Sequence, residues 1–383
     1  MKLILPALLV MSQLVFAQSM LIAAKEKGKP YGYINETGQY VIQPAFESAG
    51  PFYQKLAVVK KGKKYGVINS KGELVVSPMY DDAIDYAPEG KITVKSGSNW
   101  GVIDGEGKII VPIKYPYLSV FKTGYIVGGT VLSEKKFKGK ICPFVLNEKA
   151  DTVFIQDDCS DMPDFLVGQM DKKGNFAGVW PMIRDGKILL ESGYEREPII
   201  LDVKGNQKVN LSSINIETAH GFREGLLPAI FAPEGPTRDG VYIDTTGLSY
   251  SYDYNHAFDT LRAQQVYPFF NGVAGIEQEG KWTFIDRDGN VITKTNLAVA
   301  EYKAFPPMHF NGLIGFFKKG KAGYVNLKGE VIIPFQYDEY HPFEEEVTPV
   351  KFKGLYGLIR KDGSWAVQPK FEMLYLSPCP CYQ

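Results

Sequence analysis

Short apolar runs and polar turns alternate along this chain, and the stretch Lys63 to Ala83, KKYGVINSKGELVVSPMYDDA, shows the plan. Val67-Ile68-Asn69 leads into Ser70-Lys71-Gly72 and then into Glu73-Leu74-Val75-Val76. Asn or Asp at the first turn position with Gly at the fourth is the signature of a type I turn closed by a left-handed glycine, so two antiparallel strands are predicted. Upstream, Leu56 to Ile68 (LAVVKKGKKYGVI) reads as a second hairpin through Lys61-Gly62. The predicted unit is therefore a three-stranded meander. Pro78 cannot donate to a ladder and is expected to end the third strand, with the segment after it carrying the chain onward. Helical periodicity is absent nearly everywhere, and 39 glycines with 24 prolines suit many short strands and turns.

The same pattern starts at Lys29, Ser98, Gly320 and Gly354. With the glycine after the aromatic position as reference, the copies align on Gly32, Gly66, Gly101, Gly323 and Gly357, with neighbouring spacings of 34, 35 and 34 residues. Six residues on stands a turn glycine (Gly38, Gly72, Gly107, Gly329, Gly363), and fourteen on stands an aromatic: Phe46, Tyr80, Tyr115, Tyr337 and Phe371. Twenty past the first four stands another: Phe52, Tyr86, Phe121 and Phe343. The proline shifts by one position between copies (Pro44, Pro78, Pro112, Pro334, Pro369), yet the aromatic after it holds its place. A fixed ring beside a movable proline implies that a core position sets the register. The reference glycine is expected to let a neighbouring ring lie over bare backbone, and the later aromatics to fill the space between units.

Between 116 and 282 the pattern fades but persists. Lys281 to Ile292 keeps aromatic and turn with Thr283 in the glycine slot; Gly240 to Gly247, Ile199 to Asn206 and Pro143 to Ile155 keep strand and turn. About nine or ten units are expected in all, stacked because one such unit is marginal alone. The expected fold class is all-β: tandem meander repeats of about 34–42 residues, arranged as a β-propeller-like or an open β-solenoid array. That number exceeds the usual four to eight propeller blades. The first meander can begin at Leu21 and the last can end at Pro369, so the sequence leaves ring closure undecided.

These units resemble the WG-repeat (KWG-repeat) proteins, over about 20–130 and 270–375. Only Trp100 keeps a literal Trp-Gly; Tyr or Ala replaces the tryptophan elsewhere. The resemblance implies an all-β repeat scaffold, often exported, and brings no catalytic residues with it.

The N-terminus refines location. Lys2 precedes an apolar run from Leu3 to about Phe16, and Val15-Phe16-Ala17 suits a signal peptidase, so cleavage is expected between Ala17 and Gln18. The expected organisation is a signal peptide at 1–17, regular repeats at 18–122, divergent repeats at 123–265, and regular repeats with a tail at 266–383. Export to the periplasm or cell exterior follows, with no membrane span after cleavage. Lys+Arg and Asp+Glu are both 43, which argues against nucleic acid as the partner.

Four cysteines suit an oxidising compartment: Cys142–Cys159 is the expected disulfide, and Cys379 and Cys381 read as a terminal thiol pair or disulfide. No cofactor or metal site is expected. His220, His256, His309 and His341 lack metal spacing, and Asp157, Asp158, Asp161 and Asp164 read as a solvated loop rather than a Ca²⁺ site. The acid after the fixed aromatic (Glu47, Asp81, Asp338, Glu372) could line a groove for cations or basic peptides, but capping a turn or pairing with a lysine is the simpler reading. Catalytic motifs are absent, and a residue needed once for chemistry is not repeated in every unit.

The expected function is a non-catalytic exported scaffold binding protein or glycan partners in the envelope. Candidate contacts are Tyr250, Tyr252 and Tyr254, which share one face if they form a strand. The alternatives are a hydrolase or lyase with its site in the divergent units, and a purely structural envelope protein.

Overall fold

The computed structural model describes residues 20–84, 90–120, 126–131, 141–147 and 149–155, short strand segments between 169 and 244, and 263–376 apart from 304–306 and 344. Among the described residues the chain is all β, in nine antiparallel sheets with no helix. One of the nine sheets joins the last unit to the first, so the strands form ten successive units.

The turns form as the sequence predicts. In the second unit Asn69 Oδ1 accepts from the backbone N–H of Lys71 at 3.0 Å and of Glu73 at 3.1 Å, while the Gly72 N–H donates to the Asn69 carbonyl. Gly72 takes φ of 83°, a conformation costly for any residue with a Cβ. Asn35, Asp104, Asp286 and Asn326 organise their turns the same way. In the fainter fourth unit Asn147 does so too, with Ala150 at φ 66° in the glycine slot.

The reference glycine has a different cause from the one expected. A Cβ on Gly66 would stand 2.6 Å from the Val76 carbonyl oxygen and 2.9 Å from the Pro78 nitrogen; Gly32, Gly323 and Gly357 face equivalent backbone. The third strand bulges over the glycine: Tyr31 pairs Phe46 while Tyr33 pairs Ile42, leaving three residues of one strand opposite Gly32 alone. What covers the glycine is backbone, joined by a ring only at Gly357, where Trp365 lies 2.8 Å from the Cβ position. Proline does not end the strand either. Leu74–Tyr80 runs through Pro78, because inside the bulge a missing N–H removes no ladder bond. A bulge of this width accommodates proline at either of two positions, which explains its movement. In the eighth unit the register shift falls on Trp282, one residue earlier, so Thr283 pairs Lys294 and keeps its side chain.

The unit also has four strands rather than three. Two residues past the fixed aromatic, the chain pairs with the first long strand of the next unit: Ser48 with Lys60, Asp82 with Lys95, Glu339 with Lys351. The first unit is completed from far along the sequence. Its fourth strand comes from the C-terminal end, since Trp365–Tyr375 runs past Pro369 and pairs Met373 with Lys25 and Leu374 with Ala24. The last meander is therefore incomplete at Pro369, and the array's two ends join in one sheet ordered like every other junction.

Cores lie between units. Ile22, Ala24 and Ile34 of the first unit pack with Val347, Leu358, Phe371 and Leu374 of the tenth, as Val58 and Val67 of the second pack with Ile92, Val94 and Ile103 of the third. Burying each large apolar side chain contributes roughly 1.5–3 kcal/mol, so a unit without its neighbour loses most of its stabilisation. The joined ends favour the closed, propeller-like arrangement over the open array.

Candidate functional site

The repeated chemistry meets at the junction between units. Tyr80 pairs with Tyr65 and is buried, and the next residue, Asp81, turns the chain into the third unit. Asp81 accepts from Lys64 Nζ at 2.6 Å and from the Gly97 N–H at the tip of the following hairpin at 2.8 Å. Asp338 does the same with Lys321 Nζ at 2.5 Å and the Gly354 N–H at 3.1 Å. Glu47 accepts from the Gly62 N–H at 2.9 Å, and Glu372 lies 3.8 Å from Lys25 across the joined ends. The lysine, then the glycine N–H, hold the Asp81 and Asp338 carboxyls below the usual carboxylate range. The recurrent acid is thus a staple between units: Asp81 and Asp338 are committed to a turn amide and an ammonium, Glu47 to the amide and Glu372 to the ammonium.

A lysine at the paired position of the first long strand covers the aromatic before the reference glycine. Lys25 lies over Tyr31 at 5.6 Å, Lys60 over Tyr65 at 5.0 Å, Lys95 over Trp100 at 5.3 Å and Lys351 over Tyr356 at 5.2 Å. Each such contact contributes about 0.5–1 kcal/mol at an exposed site. In the tenth unit Glu339 accepts from Lys351 Nζ at 2.7 Å and from the Tyr356 hydroxyl, with Lys351 the main reason its carboxyl lies below the usual range. These aromatics are packing groups with one face covered.

Of the histidines weighed from sequence, His309 and His341 are described, and burial lowers the affinity of both imidazoles for a proton. The His341 carbonyl accepts from the Tyr324 hydroxyl at 2.7 Å and the Thr348 hydroxyl at 3.0 Å, which seats the loop after the fixed aromatic. Among the described residues no three His, Cys, Asp or Glu side chains cluster as metal ligands. His220, His256, Cys159, Cys379, Cys381, the four aspartates at 157–164 and Tyr250, Tyr252 and Tyr254 lie outside the described residues, as does the Cys142 side chain.

Sequence reasoning missed one surface. Directly after each Asx turn, the first residues of the third strand point outward although the run reads as buried strand. Val41 is 49% exposed, Leu74 44%, Ile109 53% and Val331 48%, with Val75 and Ile332 beside them also exposed. These strands are the outer members of their sheets. The missed signal was the doubled apolar pair (Leu74-Val75, Ile109-Ile110, Val331-Ile332): in a two-residue period at least one of each pair must leave the core, and in Leu74-Val75 and Val331-Ile332 both do, the next residue, Val76 or Ile333, being the buried one.

Repeated units, stapled by acids and closed end to end, define a class: an all-β repeat scaffold in a propeller-like array. The model of the WG containing repeat matches residues 31–65, 65–100, 100–127, 264–282 and 323–356. These five segments are WG-type repeats. No curated protein matches it. Among solved structures it is similar to a eukaryotic initiation factor (11% identity over 94% of this chain and 85% of that one, TM-score 0.43). It is also similar to the dihydro-heme d1 dehydrogenase NirN (10%, 85% and 77%, TM-score 0.41) and to Kluyveromyces lactis Hsv2p (10%, 78% and 98%, TM-score 0.38). Among the described residues no helix is long and apolar enough to cross a membrane.

Proposed function

We propose that this protein is a non-catalytic, exported scaffold that binds protein or glycan partners in the cell envelope, and that its outer strands carry the contact. The observation that carries the reading is an exposed apolar residue at the start of the third strand in five units, Val41, Leu74, Ile109, Val291 and Val331. Recurring exposed apolar groups on outer strands suit a partner surface that follows the array. A protein fits better than a glycan, because sugar stacking needs an open ring face and the recurring aromatics have lysines over theirs. The polar groups that recur with them are engaged between units, which supports a scaffold rather than a hydrolase or lyase.

The test is a crosslinking pull-down from envelope extracts together with a glycan array, using the natural chain and a Leu74→Ser, Ile109→Ser, Val331→Ser, Ile332→Ser variant. The reading expects a captured partner that the variant loses. Clean negatives in both assays, or capture that the variant leaves unchanged, would remove it.

A further inference from the structure

The acid staples fix which way every unit points, and that has a consequence for charge. Glu47, Asp81 and Asp338 each accept from the tip of the next unit's first hairpin, so all these tips lie at one end of the sheets. The Asx turns lie at the other end. Because the tenth unit pairs with the first, the tips of units nine, ten, one and two are consecutive neighbours, although they come from opposite ends of the chain.

Those tips are rich in lysine. Lys27, Lys61, Lys63, Lys319 and Lys353 are exposed and have no ion-pair partner among the described residues. Lys64 and Lys321 neutralise Asp81 and Asp338, so these five lysines outnumber Glu47, the staple acid held by a turn amide alone. At the opposite end the exposed turn residues mix signs: Glu36, Glu73, Glu106, Asp288, Glu330 and Asp362 stand among Lys71, Lys108, Lys149 and Lys328. A chain with 43 basic and 43 acidic residues thus carries a local excess of lysine on its hairpin-tip face.

We propose that the hairpin-tip face of units nine, ten, one and two is a docking surface for an anionic lipid membrane. The charges stand on hairpin tips at one end of neighbouring sheets, an arrangement that meets a plane better than it encloses a strand. They are lysines throughout, point charges without the planar fork that recognises a single phosphate or carboxylate in register. Such charges, each attracted to an anionic leaflet within a Debye length, suit a diffuse lipid surface. The opposite face, of mixed charge, would then point away from the bilayer.

The test is cosedimentation of the purified chain with vesicles of phosphatidylglycerol and phosphatidylcholine in equal parts, and with phosphatidylcholine alone, at low and high salt. A Lys61→Glu, Lys63→Glu, Lys319→Glu, Lys353→Glu variant is compared with a variant of equal charge change at the other end: Lys71→Glu, Lys108→Glu, Lys149→Glu, Lys328→Glu. All eight lysines are exposed, and unchanged circular dichroism confirms the fold. The expected result is salt-sensitive binding to anionic vesicles only, reduced at least about tenfold in the first variant and within about twofold in the second. No binding by the natural chain, equal loss in both variants, or binding to soluble dextran sulfate without vesicle binding would each overturn the proposal.

Discussion

Gly38 of the first unit lies against Val367 of the last, whose methyl groups stand 2.9 Å from where a Cβ on Gly38 would be. Gly72 meets Ile42 in this way, Gly107 meets Val76 and Gly363 meets Ile333, each in the unit before. A turn glycine seated on its predecessor's third strand is thus a property of every regular junction, including the one that joins the ends. Strand pairing, the shared core and the glycine contact all mark that closing junction as an ordinary one.

If so, the C-terminal strand holds the first unit in place. Leu374 is 1% exposed within the core shared by the two end units. Leu374→Ala is expected to cost about 2–5 kcal/mol in urea unfolding. It should also speed amide hydrogen exchange at Ile22–Glu26 far more than at Leu56–Lys61. Uniform protection in both strands would show that closure contributes little.

The two kinds of glycine should respond differently to a methyl group. Gly62 has φ of 66° and open space around its Cβ position, so Gly62→Ala is expected to cost about 1 kcal/mol. Gly66 faces backbone at 2.6 Å that cannot give way without moving the bulge. Gly66→Ala should cost at least about 2 kcal/mol, and equal midpoints for the two variants would contradict the bulge explanation.

The staples make stability pH-dependent in a definite direction. The Asp81 and Asp338 carboxyls are more acidic in the folded chain than when unfolded, so their contribution is present above the unfolded value, at about pH 4. It is lost as pH falls through the folded value. The melting temperature should therefore drop below about pH 4, and the double variant Asp81→Asn, Asp338→Asn should drop less steeply there. The effect is expected to be small, because both carboxylates are exposed to water. Parallel melting curves for both proteins across that range would refute the assignment.

Removing the exposed apolar pair should leave the fold alone. Val331→Thr with Ile332→Thr is expected to shift stability by within about 0.5 kcal/mol, whereas Ile333→Ala, at a buried position, should cost about 2–5 kcal/mol. A large loss in the first variant would place the pair in the core and weaken the partner-surface reading.

The sequence by itself determined three of the unit's four strands. Asn69 with Gly72 fixed a turn, the constant offset to Tyr80 fixed a core position, and repetition showed that Gly66, Pro78 and Asp81 serve structure. These are local matters, set by backbone conformation and the two-residue period of a strand, so they are legible in any one copy. Tertiary structure alone decided what lies opposite each residue. It placed backbone rather than a ring over Gly66, carried the strand through Pro78, and aimed Asp81 at Gly97. It also gave the first unit a fourth strand from Glu372 to Tyr375, over 340 residues from its partner in sequence. The charge pattern divides in the same way: Lys27, Lys61, Lys319 and Lys353 form no run along the chain. They share a face because each hairpin is stapled to the next in one orientation and the last unit hydrogen-bonds to the first.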